Sequence, residues 1–144
     1  MSTTFPARQG WGLHRVTAFV YFVVIGLVAS LNYLPIPGII DENGLCFGIF
    51  ALDPFDDLLH VGSALWALVA ALTSVRASRI FLTVFGALYL ADGLLGLWTG
   101  VGFLDLGIWR WGVQDYDLMF KIYANTPHIL LGLVALLIGL ARPR

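Results

Sequence analysis

The chain has 144 residues, of which 59% are hydrophobic and 12% are charged, and its formal net charge is −1. A soluble domain is about half apolar and about a quarter charged, so this composition excludes an ordinary water-soluble protein and indicates lipid as a second solvent. The charge balance gives no bulk attraction to nucleic acid. The single cysteine, Cys46, cannot form an internal disulfide. The length predicts a single membrane domain over residues 1–144 with no separate soluble module.

Four apolar segments are long enough to cross a bilayer, which requires about 20 helical residues. In chain order they are, approximately, Val16–Tyr33, Leu58–Val75, Ile80–Trp98 and Thr126–Ala141. The first exceeds the apolar region of a cleaved signal peptide, so we interpret it as a retained helix. The last is the shortest, and we expect it to tilt little and to depend on Arg142 and Arg144 reaching the membrane interface.

A helix is predicted to begin near the end of the loop that follows the first segment, about Leu34–Phe55. Asp53 followed by Pro54 is the pattern of an N-cap residue and a proline at the first helical position. Asp56 and Asp57 then place negative charge at the positive end of the helix dipole.

The loop between the third and fourth segments, about Thr99–Asn125, is rich in aromatic residues mixed with charges. Such residues beside a span are typical of the membrane interface, and a short amphipathic helix lying flat over Tyr116–Tyr123 is predicted. The same residue types are favoured in protein interfaces. The candidate interface residues are Trp98, Trp109, Arg110, Trp111 and Tyr116.

A pattern of aromatic, polar and histidine residues occurs twice, and each histidine stands 16 residues before an arginine. This indicates two tandem copies of one helical hairpin, the first over about 15–78 and the second over about 79–144. Both copies then have the same orientation in the membrane, with a pseudo-twofold axis along its normal. The two copies are Phe55-x-Asp57-x-x-His60 before Arg76 and Tyr123-x-Asn125-x-x-His128 before Arg144.

The charges are distributed unequally between the two ends of the predicted bundle. One end has six arginines and no acidic residue: Arg8, Arg15, Arg76, Arg79, Arg142 and Arg144, with Arg76 and Arg79 in the link between the second and third spans. The other end holds Arg110, Lys121 and eight of the nine acidic residues. The positive-inside rule then predicts that both termini are cytoplasmic and both long loops are outside.

The ninth acidic residue, Asp92, lies within the third span and is expected to face a partner or a wet cavity, because a charge in lipid is costly. Three interpretations remain open. His60 and His128 provide ligands for haem or a metal, Asp92 and a histidine form a proton-responsive pair, or these side chains form structural bonds at helix ends. Two histidines without a third ligand are weak grounds for a metal. The candidate polar cluster is His60, Asp92, His128, Asp57 and Asn125.

From about Arg15 to Gly139 the chain resembles the bacterial four-helix membrane protein family catalogued as domain of unknown function forty-three eighty-three. The resemblance implies four spans in a bacterial inner membrane and supplies no catalytic residues. The residues that carry it are Pro37-Gly38-Ile39, Gly48-Ile49-Phe50, Asp57-x-x-His60 and Asn125-Thr126-Pro127-His128.

No catalytic motif is recognised in the sequence, so we expect a non-enzymatic multi-pass protein of the inner membrane, without a resident cofactor. The favoured function is an accessory or assembly subunit of a larger membrane complex, with lipids and other membrane subunits, or a second copy of itself, as partners. Two alternatives are a haem- or metal-binding redox subunit using His60 and His128, and a small proton-linked transporter or sensor using Asp92.

Overall fold

The computed structural model describes residues 11–34, 36–50 and 52–142. This part of the chain forms helices and contains no β-strand, apart from isolated bridges at Cys46. Four helices are long and apolar enough to cross a membrane, which confirms the predicted all-helical class. The helices are α1 (Leu13–Ser30, extended by a 3-10 turn, Leu31–Tyr33), α2 (Pro54–Thr73), α3 (Val75–Thr99), α4 (Gly107–Trp111) and α5 (Leu118–Leu140).

The start of α2 agrees with the predicted cap. Oδ1 of Asp53 accepts from the Phe55 and Asp56 amides at 2.8 and 3.2 Å, and the Asp56 carboxylate accepts from the Asp53 amide at 3.2 Å. This reciprocal arrangement satisfies amide groups that have no partner inside the helix. Pro54 occupies the first helical turn, where it costs no hydrogen bond. The local sequence therefore determines this helix start.

The link between α2 and α3 is shorter than the sequence predicted. Only Ser74 separates the two helices, and its hydroxyl accepts from the Ala77 amide at 3.0 Å, which starts α3 at once. Arg76 and Arg79 therefore lie in the first turns of α3, and the prediction that they belong to a loop was wrong.

The start of α5 is also earlier than predicted. Asp117 caps the helix by accepting from the Met119 amide at 2.8 Å, and the helix continues through Pro127 for 23 residues. The predictions of a separate flat helix over 116–123 and of a short last span were wrong. A proline inside a helix removes one hydrogen bond and costs about 3 kcal/mol, but the long contact of α5 with α3 offsets that cost.

The bundle consists of two closely packed helix pairs, α1 with α2 and α3 with α5, joined by contacts of α3 with α1 and α2. Glycines let the backbones of α3 and α5 approach. A Cβ atom at Gly86 would lie 2.8 Å from the Gly132 carbonyl oxygen, and one at Gly93 would lie 2.7 Å from the Ile129 side chain. Small residues serve this purpose in membrane helices, where packing replaces the hydrophobic effect between helices.

Both long loops lie at one end of the bundle, which we call the loop end. Four of the described arginines lie at the other, which we call the arginine end: Arg15, Arg76, Arg79 and Arg142. At the arginine end, side chains donate to the last carbonyl groups of α2 and α5. Arg15 donates to the Ala71 and Leu72 carbonyls at 2.7 and 3.2 Å, and Arg79 donates to the Gly139 carbonyl at 3.3 Å. These cations satisfy carbonyl groups at the negative end of each helix dipole. Arg8 and Arg144 lie outside the described residues.

Substitution of Gly86 tests the α3–α5 contact. Gly86→Leu should destabilise the fold by about 1–3 kcal/mol, because the new side chain meets backbone atoms of α5 that cannot move aside. The matched control is Gly26→Leu on α1, where a Cβ atom meets nothing within 4 Å. The measurement is the unfolding midpoint in a detergent titration. Equal midpoints for the two variants would contradict the described contact.

Candidate functional site

Asp92 is the most buried carboxylate in the described part of the chain, with 2% of its surface exposed. It lies seven residues before the end of α3, or about 10 Å along the helix axis. Phe85 and Tyr89 precede it on the same buried face of α3, so the helix directs the carboxylate into the bundle and not toward lipid.

The Asp92 carboxylate accepts hydrogen bonds from three protein groups. Oδ1 accepts from the Phe103 and Leu104 amides at 2.6 and 2.8 Å, and Oδ2 accepts from Nδ1 of His128 at 2.6 Å. Gly102 permits this approach, because a Cβ atom there would lie 2.5 Å from the carboxylate. Asp92 therefore joins three elements: α3, α5 and the loop between α3 and α4.

The two histidines of the predicted repeat lie close together, and one of them, His128, bonds to this carboxylate. The ring centroids of His60 and His128 are 6.2 Å apart, and the Tyr89 ring lies 4.9 Å from that of His128. Nδ1 of His60 is buried and has no hydrogen-bond partner in the described part of the chain. The Asp56 carbonyl approaches the His60 ring, but their geometry is not that of a hydrogen bond. His60 is thus the polar group of this cluster whose bonding is incomplete.

The side chains that could act as ligands near the two histidines give limited support for a haem or metal site. In residues 11–34, 36–50 and 52–142, no group of three or more His, Cys, Asp or Glu side chains could hold a metal ion. Nδ1 of His128 is engaged by Asp92, so its Nε2 is the atom left for a ligand. The arrangement offers two imidazoles and no third protein ligand, whereas zinc sites use three or four.

Asp57 and Asn125 stand at equal positions in the two repeat patterns but bond differently, and neither bonds to Asp92. Asp57 accepts from the Tyr33 hydroxyl at 2.7 Å and, more weakly, from Asn32. It therefore ties the end of α1 to the start of α2. Asn125 donates to the Lys121 carbonyl at 2.8 Å within α5.

The candidate interface residues lie at the loop end. Trp98, Trp109 and Trp111 are 80%, 69% and 60% exposed. Tyr116 is also exposed and packs against Phe120, with ring centroids 5.1 Å apart.

Arg110 is the exception among these residues, because its charge is already paired. It forms an ion pair with Asp53 and lies over the rings of Phe55 and Trp111, 4.3 and 5.0 Å from their centroids. Partial burial acts to raise the pKa of Asp53, but the hydrogen bonds from Arg110 and two backbone amides outweigh it, so the pKa lies below its ordinary value. The pair joins the first loop to α4.

Among the polar contacts inside the bundle that sequence reasoning missed, one joins α2 to α3. The hydroxyls of Ser63 on α2 and Tyr89 on α3 are 3.1 Å apart, and both side chains are buried. A serine in the middle of an apolar span was the available signal, but a small residue there is equally expected for close helix packing. Only the tertiary structure shows the pairing.

Comparison with family models, with curated proteins and with solved structures finds no match to this chain. The resemblance to the bacterial four-helix family therefore stays a prediction.

Asp92→Ala should free the loop between α3 and α4. Two amides and the His128 imidazole would lose their acceptor, and each buried hydrogen-bonding group left unsatisfied typically costs about 1–3 kcal/mol. Hydrogen exchange at residues 101–106 should become faster, together with a lower unfolding midpoint. Asp57→Ala is the control: it removes a buried carboxylate at the same end but should leave exchange at 101–106 unchanged. Equal exchange in both variants would contradict the role of Asp92.

The Asp53–Arg110 pair predicts a response to acid. Because the pKa of Asp53 is lower in the folded protein, the pair contributes stability above the ordinary value of 3.8 and loses it as pH falls toward the lowered value. We expect an acid-induced change in tryptophan fluorescence, since Trp111 lies beside Arg110. In Arg110→Gln this change should be absent. A fluorescence change of the same size in Arg110→Gln would show that other titrating groups cause it.

Proposed function

We propose that this protein is a non-enzymatic integral membrane protein that serves as an accessory or assembly subunit of a larger membrane complex. The observation that carries this proposal is a loop that is held rigidly while its large aromatic side chains stay exposed. Rigidity and exposure together are properties of a preformed binding surface.

The loop between α3 and α5 is fixed at three points. Asp92 accepts from two of its amides near the start. Arg110 pairs with Asp53 in the middle. The Gln114 amide donates to the Thr99 carbonyl at 2.7 Å near the end. A segment bonded at both ends and in its middle loses little conformational entropy when a partner binds, which favours affinity.

The exposed side chains of this loop are of the types that dominate binding energies. Trp109 and Trp111 flank Arg110, and tryptophan and arginine are enriched among the residues that contribute most at protein interfaces. Trp98 adds a third exposed indole at the end of α3. The competing explanation is an interfacial belt in contact with lipid headgroups. Contact with lipid headgroups requires tryptophan side chains at the depth of those headgroups, but it does not require a loop with so many hydrogen bonds and ion pairs.

The proposal places the protein in a bacterial inner membrane, with the loop end outside and the termini in the cytoplasm. Its support is the charge distribution. Within the described residues, the arginine end carries Arg15, Arg76, Arg79 and Arg142 without an acidic side chain. Such an excess of positive charge is typical of the cytoplasmic side.

A second candidate function, a small proton-linked sensor or transporter using Asp92, is favoured by one specific observation. Nδ1 of His60 is buried and unpartnered beside the Asp92–His128 pair, so the cluster contains a site where a proton could be bound or released. The bonding of Asp92 argues against this second function. Its carboxylate accepts hydrogen bonds from two amides and one imidazole, as expected of a structural residue.

The subunit proposal is tested by the size of the particle that carries the chain after gentle extraction from native membranes. We expect co-migration with a larger complex at fixed stoichiometry. Trp109→Ala combined with Trp111→Ala should release the chain from that complex while its helix content and unfolding midpoint stay unchanged. The control is Trp11→Ala, which removes an exposed tryptophan at the arginine end. Migration of the unaltered chain alone would overturn the proposal.

A further inference from the structure

Two arginines are neighbours at the start of α3, and their position is electrostatically unfavourable. Arg76 and Arg79 are three residues apart, so their side chains lie side by side on the helix surface. Like charges at this spacing repel each other, and the positive end of the helix dipole opposes further positive charge. An anion beside the two arginines offsets both effects.

No acidic side chain lies close enough to supply this anion. On α3 the nearest is Asp92, 13 residues beyond Arg79, which is about 20 Å along the helix axis. The other acidic residues belong to the loop end. Interactions between exposed charges are largely screened beyond about 8 Å at physiological ionic strength. The charge of Arg76 and Arg79 must therefore be balanced from outside the described residues.

Both guanidinium groups keep donors that an anion can use. Arg79 donates through Nε to the Gly139 carbonyl at 3.3 Å, and its two terminal nitrogens have no acceptor among the described residues. Arg76 is exposed, and its side chain makes no hydrogen bond within the same part of the chain. The contact of Nε fixes the direction of the Arg79 side chain. The terminal nitrogens of a guanidinium group form a planar fork that can bind two phosphate oxygens at once.

A third arginine joins this surface from α5. Arg142 is exposed and lies three residues beyond Gly139, the residue that Arg79 contacts. Arg76, Arg79 and Arg142, which we call the arginine patch, therefore form one positive surface across the ends of α3 and α5.

The depth of the patch selects a phospholipid over a soluble anion. The 25 residues of α3 extend about 38 Å, which exceeds a hydrocarbon core about 30 Å thick, so the first turn reaches the headgroup region. One and two turns below Arg76 on the same face, Ile80 and Val84 are 50% and 42% exposed. A phosphate at Arg76 thus continues into an apolar strip that suits an acyl chain.

We propose that the arginine patch binds an anionic phospholipid, with its phosphate between Arg76 and Arg79 and one acyl chain against Ile80. The proposal concerns lipid binding alone and does not depend on the subunit function.

The test uses the full chain in detergent micelles, titrated with phosphatidylglycerol or with phosphatidylcholine that has the same acyl chains. Native mass spectrometry measures how much lipid stays bound to the chain. Phosphatidylglycerol should bind about tenfold more tightly, because the choline group neutralises the phosphate and each basic residue near an anionic headgroup contributes about fivefold.

Arg76→Gln should weaken the binding of phosphatidylglycerol about fivefold and leave that of phosphatidylcholine unchanged. The side chain of Arg76 has no hydrogen bond to lose among the described residues, so the unfolding midpoint should stay the same. The matched control is Lys121→Gln, which removes one positive charge at the loop end and should bind both lipids as the unaltered chain does.

Glycerol phosphate distinguishes a lipid site from a site for soluble phosphate, because it carries the phosphate without acyl chains. At the same concentration as the lipid, it should not displace phosphatidylglycerol from the unaltered chain.

Three results would overturn the proposal. The first is equal binding of the two lipids to the unaltered chain. The second is equal binding of phosphatidylglycerol to Arg76→Gln and Lys121→Gln, which would show that the arginine patch has no special role. The third is displacement of the lipid by glycerol phosphate, which would identify a site for a soluble anion.

Discussion

A backbone polar group inside a bilayer has no water to bond with, so it must find its partner within the protein. This constraint explains several of the charged side chains near the helix ends. Arg15 and Arg79 satisfy the last carbonyls of α2 and α5, and Asp53 satisfies the first amides of α2. Asp92 does the same for the loop that follows α3. A chain with so few charges places several of them where helices begin and end.

The parts of the fold that could be predicted are those determined by neighbouring residues. Mean hydropathy over a span and the Asp53–Pro54 pattern are local signals, and both gave the correct elements. The predicted last span began at about Thr126, beside Pro127, whereas α5 begins at Leu118 and continues through this proline, and its contact with α3 is a tertiary interaction. Arg79 was assigned to a loop for a similar reason: the carbonyl it binds belongs to α5, 60 residues away.

The candidate site was predictable in its position but not in its bonds. The repeated pattern placed His60 and His128 at similar depth, and the helical face of Tyr89 and Asp92 could be read from their spacing. The sequence could not show that His128 would bond to Asp92 while His60 stayed unpartnered. The predicted repeat suggests a reason. Gly26-Leu27 recurs 67 positions later as Gly93-Leu94, and the residue 67 positions before Asp92 is Ile25, so the first hairpin offers its histidine no carboxylate. Whether two side chains meet across helices depends on helix rotation, which composition and spacing do not determine.

The single residue between α2 and α3 restricts how the two helix pairs can move. Ser74 holds the ends of both helices together at the arginine end, so the pairs can separate there by only a few ångströms. Relative motion must then resemble a pivot about Ser74, with displacement growing toward the loop end. The Asp53–Arg110 pair restricts this displacement at the loop end, because it joins the start of α2 to α4. A contact on the protein surface thereby limits how far the two helix pairs can separate at the loop end.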